Sequence, residues 1–185
     1  METIRAHSHF HAGHRQLDYE GKCAWVHGHT WRGRFTVRAE RFPRIEKLDM
    51  GVDFGALKSI FKFLDHKMLI SERDTLFQQP EVFDPQGIVI MPGENPSVEN
   101  VALYCLNEAV DLLAKLFPGE GIDYHVEVEI QETPFSLYLY AGRVLGEDYQ
   151  FLNLCRMFRA LLFVKSSLDP REPEKRANER WRALS

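Results

Sequence analysis

From His27 onward, apolar and polar positions alternate. The odd positions read His27, His29, Trp31, Gly33, Phe35, Val37 and Ala39; the even ones read Gly28, Thr30, Arg32, Arg34, Thr36, Arg38 and Glu40. A period of two is that of a strand with one apolar and one polar face. Phe10, Ala12 and His14 share one face of an earlier short strand, and residues 17–24, with Gly21, read as the loop between the two. The period then changes. Phe54, Leu57, Ile60, Phe61, Leu64 and Met68 form a stripe at three- and four-residue steps behind a candidate N-cap, Asp53, which predicts a helix. Residues 71–95 are punctuated by Pro80, Pro85, Gly87, Pro92 and Gly93 and read as loop, with 88–91 as a candidate small strand. A second helix starts near Ser97, just after Pro96. Val98, Val101, Ala102, Cys105, Ala109, Leu112, Leu113 and Leu116 line one side of it, and Pro118-Gly119 ends it.

Alternation returns at Tyr124, Val126, Val128, Ile130 and Glu132, with His125, Glu127, Glu129 and Gln131 on the other face; 137–141 reads as a last strand. Two strand pairs separated by a helix pair predict an α+β layer, an antiparallel sheet with helices on one face. After Val144 the character changes. Phe151, Leu154, Cys155, Phe158, Leu161 and Leu162 predict a third amphipathic helix, and the chain beyond Lys165 is a mixed-charge extension. The expected division is one domain over 1–142 and a C-terminal helical extension over 143–185.

The composition narrows the class. In 185 residues, 44 % are hydrophobic and 27 % charged, the profile of a globular chain. With 23 Lys plus Arg against 27 Asp plus Glu the formal charge is −4, so no general attraction to nucleic acid is expected. Cys23, Cys105 and Cys155 are too few and too odd in number for a disulfide framework, and a reducing compartment, the cytoplasm, is expected. Residues 1–10 lack the apolar region of a secretory signal, and the run 151–164 is too short and too charged to cross a bilayer.

The histidines are the candidate chemistry. Six of eight lie between His7 and His29. Side chains at i and i+2 of a strand point the same way, so His27 and His29 share a face, with Gly28 leaving room for a close neighbour. His14 ends the apolar face of the preceding strand. Pairing of these strands brings three imidazoles together, the ligand set of a catalytic Zn²⁺ site with an open fourth position; an all-nitrogen set disfavours Mg²⁺ and Ca²⁺. His7, His9 and His11 compete as ligands, but His9 and His11 fall on the face opposite His14 in a regular strand.

Cys23 precedes His27 by four residues. It is a candidate fourth ligand closing a structural site, or a separate base or nucleophile. Cys105 and Cys155 sit on apolar helix stripes and read as core. Asp65-His66 lies near the end of the first helix, where adjacent positions do not face each other, so direct pairing is not implied. Glu132 continues an apolar face, where a carboxylate needs a donor or a cation; the other reading is a strand that has already ended. Ser97 suits an N-cap and Glu99 the first helical turn.

Together these segments resemble one family. Phe10-His11-Ala12-Gly13-His14, Lys22-Cys23-Ala24-Trp25-Val26-His27-Gly28-His29, Val52-Asp53-Phe54 with Leu57-Lys58, Leu64-Asp65-His66, Pro96-Ser97-Val98-Glu99-Asn100 and Glu132-Thr133 stand in the order and spacing of the 6-pyruvoyl-tetrahydropterin synthase / 6-carboxy-tetrahydropterin synthase family, over roughly residues 4–142. The resemblance implies the tunnelling fold (T-fold): a four-stranded antiparallel sheet with two helices inserted after the second strand. Three subunits would close a barrel, two trimers would stack into a hexamer, and active sites would lie between subunits. It implies His14, His27 and His29 as zinc ligands, Cys23 as catalytic base, and Asp65 with His66 as its relay. Glu132 would anchor the pterin and join the relay, while Ser97 and Glu99 would contact substrate.

The implied activity is that of a lyase acting on 7,8-dihydroneopterin triphosphate. The four-residue Cys-to-His spacing resembles the 6-carboxy enzymes of the queuosine pathway, whose product is 6-carboxy-tetrahydropterin, formed with loss of triphosphate and acetaldehyde. The same-family alternative is elimination of triphosphate to 6-pyruvoyl-tetrahydropterin. A non-catalytic pterin-binding protein with a structural zinc, Cys23 being the fourth ligand, is the rival from another class. Gly13 and Val98 depart from the family's usual residues, and the segment 143–185 has no family counterpart.

Overall fold

The computed structural model describes residues 1–44, 48–116 and 123–144, all within one compact unit, Met1–Gly146. The expected third helix, Cys155, the extension beyond Lys165 and the Pro118-Gly119 stop lie outside the described residues.

The first two strands, β1 (Glu2–His14) and β2 (His27–Ala39), are 13 residues each and pair antiparallel along their whole length. The short first strand expected from Phe10, Ala12 and His14 is in fact long. Ala6, Phe10, Ala12 and His14 are buried while Arg5, His7, His9 and His11 are exposed, so the alternation holds throughout. Helix α1 (Phe54–Leu64) starts at Asp53, whose carboxylate accepts the Gly55 N–H at 2.7 Å. It buries Leu57, Ile60, Phe61 and Leu64, whereas Phe54 is left half exposed.

Phe61 packs between Phe10 and Phe35, at ring-centroid distances of 6.2 and 4.5 Å. The helix gets that close because position 33 is glycine: a Cβ there would stand 2.2 Å from the Phe61 ring. Helix α2 (Val98–Leu116) contacts α1 and the strands β5 (Tyr124–Thr133) and β6 (Ser136–Val144). Its Cys105 is fully buried, as expected of a core residue, and burial pushes the thiol pKa up.

The sheet differs from the four antiparallel strands expected. Among the described residues it has six strands and is mixed, with β3 (Lys67–Ile70) and β4 (Ile88–Ile90) on the β1 side and the order β4-β3-β1-β2-β5-β6. These additions run β3 parallel to β1 and β4 parallel to β3. Met68 belongs to β3 and not to the helical stripe. The helix stops at Leu64, and His66 turns the chain with φ 58°, in the left-handed region. The small strand expected near 88–91 is β4. β3 matters to the site because it pairs with Ala12, Gly13 and His14, so the end of β1 that carries His14 has a strand on each side.

Candidate metal centre and active site

The β1–β2 register sets the site. His14 stands opposite His27, and Ala12 opposite His29. Cross-strand partners share a face, so all three imidazoles lie on one side of the sheet. Their ring centroids are 4.5, 4.9 and 5.2 Å apart, and one possible ligand atom from each lies within 4.8 Å of the others. His9 and His11 are exposed on the opposite face, as the alternation requires.

Two of the rings are oriented by backbone carbonyls. His14 Nδ1 bonds the Pro96 carbonyl at 2.8 Å, and His27 Nδ1 bonds the Trp25 carbonyl at 2.7 Å. A carbonyl only accepts, so each Nδ1 is the donor in its bond, which leaves Nε2 as the ring nitrogen available for a ligand role. His14 is 1 % exposed, and its Nε2 makes no hydrogen bond among the described residues. Burial lowers the His14 pKa to about 4, with the neighbouring His27 and His29 acting in the same direction. Burial also lowers that of His29, partly offset by Glu132. Neutral, Nε2-directed imidazoles are the form that binds a divalent metal. A buried, unbonded ligand nitrogen and an all-imidazole donor set therefore fit a zinc-type ion.

Trp31 backs the group. It is fully buried, donates Nε1–H to the Ala12 carbonyl at 3.1 Å, and meets His14 and His29 edge-on at 5.1 and 5.6 Å. Glu132 lies on the same face, with Oε1 3.3 Å from His14 Nε2 and 3.9 Å from His29 Nε2. The strand has therefore not ended before Glu132, although β5 and β6 shift register between Gln131 and Thr133. A cavity of about 340 Å³ opens beside it, lined by Gly28, His29, Arg32, Gln131, Glu132 and Thr133 among others. That is the lower end of small-molecule pocket sizes.

Cys23 sits in a single 3₁₀ turn, Lys22–Ala24, and is exposed. The carbonyl of Cys23 accepts the Gln16 N–H at 2.8 Å, which ties the turn to the chain just past His14. Its sulfur is not part of the close ligand-atom group. Ser97 caps α2, its Oγ accepting the Asn100 N–H at 3.4 Å, and Glu99 is exposed in the first turn.

Asp65 and His66 do pair, contrary to the helical expectation, because the helix has ended at Leu64. Asp65 Oδ2 is 3.0 Å from His66 Nδ1, while Oδ1 accepts the His11 N–H at 2.7 Å, the main reason its pKa is lowered. His66 is 81 % exposed, and its ring lies 6.2 Å from that of His11. His11 faces away from the three-histidine group, so the His66 ring lies toward the other face of β1, while Asp65 is tied to the backbone of that strand. The carbonyls of Pro96 and Trp25 were not foreseeable, since a backbone acceptor leaves no residue-type signal. Trp31 was readable as apolar but not as the wall of the site.

Comparison with known proteins agrees with this geometry. A sequence model of the 6-pyruvoyl tetrahydropterin synthase family matches residues 3–143. A protein of Rickettsia felis named 6-carboxy-5,6,7,8-tetrahydropterin synthase is 32 % identical over 131 residues, covering 68 % of this chain and 89 % of its own. Its Rickettsia typhi namesake is 33 % identical over 130 residues, covering 67 % and 88 %. Among solved structures, the 6-pyruvoyl tetrahydropterin synthase of Plasmodium falciparum superposes with a TM-score of 0.55 at 17 % identity, over 77 % of this chain and 98 % of its own. A Plasmodium vivax catalytic-residue mutant of the same enzyme gives 0.54 at 19 %, over 78 % and 100 %. Those structures share the fold, and the sequence matches go further: the chain belongs to the 6-pyruvoyl tetrahydropterin synthase family and is an enzyme of the tetrahydropterin synthase lyase type.

Proposed function

We propose that the chain is a zinc-dependent lyase converting 7,8-dihydroneopterin triphosphate and one water to 6-carboxy-5,6,7,8-tetrahydropterin, with loss of triphosphate and acetaldehyde. The observation that carries the reading is the convergence of His14, His27 and His29 beside Glu132, with the buried His14 Nε2 unbonded. The choice of the 6-carboxy product is supported by relatives of that name at 32 and 33 % identity.

His14, His27 and His29 hold the zinc, which when bound supplies a Lewis acid for the oxygens of the substrate's side chain. Glu132 accepts two hydrogen bonds from the amino and ring N–H groups of the pterin, which fixes the side chain in place. Cys23, as thiolate, takes a proton from a side-chain carbon; its exposed turn leaves the sulfur accessible. His66, oriented by Asp65, returns a proton. Ser97 and Glu99 border the substrate from the start of α2. A sulfur outside the ligand group supports a catalytic centre with an open position over a closed structural one.

The His66 ring lies toward the His11 face of β1 and not the face of the three histidines, so a complete site draws it, with Asp65, from a second copy. The sheet offers the means. Among the described residues β6 pairs only with β5, and the first ten residues of β1 pair only with β2. Two long open edges on one sheet invite pairing between copies, here into a trimeric barrel or a dimer of trimers. Among the described residues no helix is long and apolar enough to cross a membrane, and the setting we assign is the cytoplasm.

The test is product identification with zinc-loaded protein. Release of acetaldehyde together with triphosphate is expected, and both cease in Cys23→Ala while zinc stays bound. Triphosphate without acetaldehyde would replace the proposed product with 6-pyruvoyl-tetrahydropterin.

A further inference from the structure

The acceptor that fixes His14 is a backbone carbonyl in a loop, and something must fix that carbonyl. Pro96 has no N–H with which to anchor itself. The residue before it does the anchoring. Asn95 Oδ1 accepts the Leu17 N–H at 2.6 Å, and Asn95 Nδ2 donates to the Leu17 carbonyl at 3.1 Å. One side-chain amide thus engages both backbone groups of a single residue, as a neighbouring strand would. Leu17 lies three residues beyond His14. The carbonyl of Asn95 in turn accepts Asn100 Nδ2 at 2.8 Å, which joins the loop to the first turn of α2. Gln16 Nε2 reaches the Pro96 carbonyl itself at 3.4 Å.

We infer that Asn95 is a positioning residue for the metal centre: it locks the chain leaving His14 to the loop that carries the Pro96 carbonyl, and so holds His14 with its Nε2 toward the ion. The chemistry selects asparagine. Leu17 needs an acceptor and a donor on one short side chain, and aspartate lacks the donor while serine lacks the reach. Asn100 completes the arrangement and explains the glycine at 93. With φ +76° that residue sits against the Asn100 amide, and a Cβ there would stand 2.7 Å from Asn100 Nδ2. Asn95 touches neither ion nor substrate in this role and acts only through Pro96 and His14.

The inference rests on the reading of the three histidines as a metal site, and its test separates the two. Zinc affinity is measured by competition with a chromophoric chelator for the full chain, Asn95→Ala, Asn95→Asp and Asp53→Ala. The last removes the α1 cap, a structural loss remote from the loop. Asn95→Ala is expected to weaken zinc binding by about tenfold or more, the range for loss of an outer-shell partner. Asn95→Asp, which keeps the bond from the Leu17 N–H, falls between Asn95→Ala and wild type. Asp53→Ala binds as wild type does. Zinc affinity unchanged in Asn95→Ala overturns the inference, as does an equal weakening in Asp53→Ala, which would reduce the effect to general stability. Should Asn95→Ala not fold, wild-type affinity in Asn95→Asp overturns it instead. A wild-type chain that binds no zinc overturns the metal reading itself.

Discussion

His14 and His27 face each other across the last rung of the β1–β2 ladder, and each turns its Nδ1 to a backbone carbonyl, 2.8 Å from Pro96 and 2.7 Å from Trp25. The arrangement orders the face proposed to hold the metal in advance of any ion. Its cost is that a buried imidazole must remain neutral.

That cost has a pH signature in the metal-free protein. Burial lowers the His14 pKa from the ordinary 6.5 to about 4. Between those values the unfolded chain binds a proton that the folded chain does not, so stability rises with pH there. The contribution is complete above about pH 6.5, declines as the pH falls toward about 4, and is lost below that. Burial moves His29 in the same direction. Urea titrations of the apo protein at pH 7, 6 and 5 are expected to show falling stability, with a shallower fall in His14→Gln. Equal slopes in the two proteins would show that His14 is not the buried group.

The proposed site, with its His66 ring toward the other face of β1 from the three histidines, predicts complementation between copies. Cys23→Ala and His66→Ala are each expected to be inactive. Unfolded together and refolded as a mixture, they form some sites with an intact Cys23 from one copy and an intact His66 from another. Measurable activity in the mixture, absent from each variant refolded alone, supports a shared site. Its absence from a mixture shown to contain mixed oligomers would place both residues in one chain's site.

Gly33 sets how closely α1 approaches the sheet. Its added Cβ would stand 2.2 Å from the Phe61 ring, and Phe61 is held between Phe10 and Phe35. Gly33→Ala is therefore expected to destabilise by about 1–3 kcal/mol through overpacking. Chemical denaturation measures this directly, and a neutral result would mean that the ring has room to move.

Arg15, the residue after His14, grips Asp74 with two bonds of 2.7 Å, and Asp74 is 2 % exposed. Loss of one partner from a buried pair costs about 3–5 kcal/mol. Arg15 is only partly buried, so Asp74→Ala is expected near the lower end of that range. A change below about 1 kcal/mol, the value of an exposed pair, would contradict the clamp.

The strands that carry the three histidines are legible because each has one wet and one dry face. The period of two therefore gives His27 and His29 a side along with Trp31 and Phe35, and β1 follows the same pattern with His14 on its dry face. β3 was hidden by coincidence of spacing: Met68 lies four residues after Leu64 and prolongs a helical stripe that has physically ended. The Asp65–His66 pair was hidden for a related reason. It depends on a left-handed φ at a histidine, which no residue type announces. The sheet's parallel edge depends on only three paired residues of β1, too short a stretch to leave a pattern. The open edges belong to topology and are invisible in any single strand.

The central claim is a three-imidazole zinc centre with the sulfur of Cys23 outside it, and zinc K-edge X-ray absorption of the loaded protein tests it most directly. One zinc per chain is expected, with nitrogen or oxygen neighbours at about 2.0–2.1 Å and no sulfur shell. A sulfur neighbour at about 2.3 Å would make Cys23 a ligand and contradict the catalytic account.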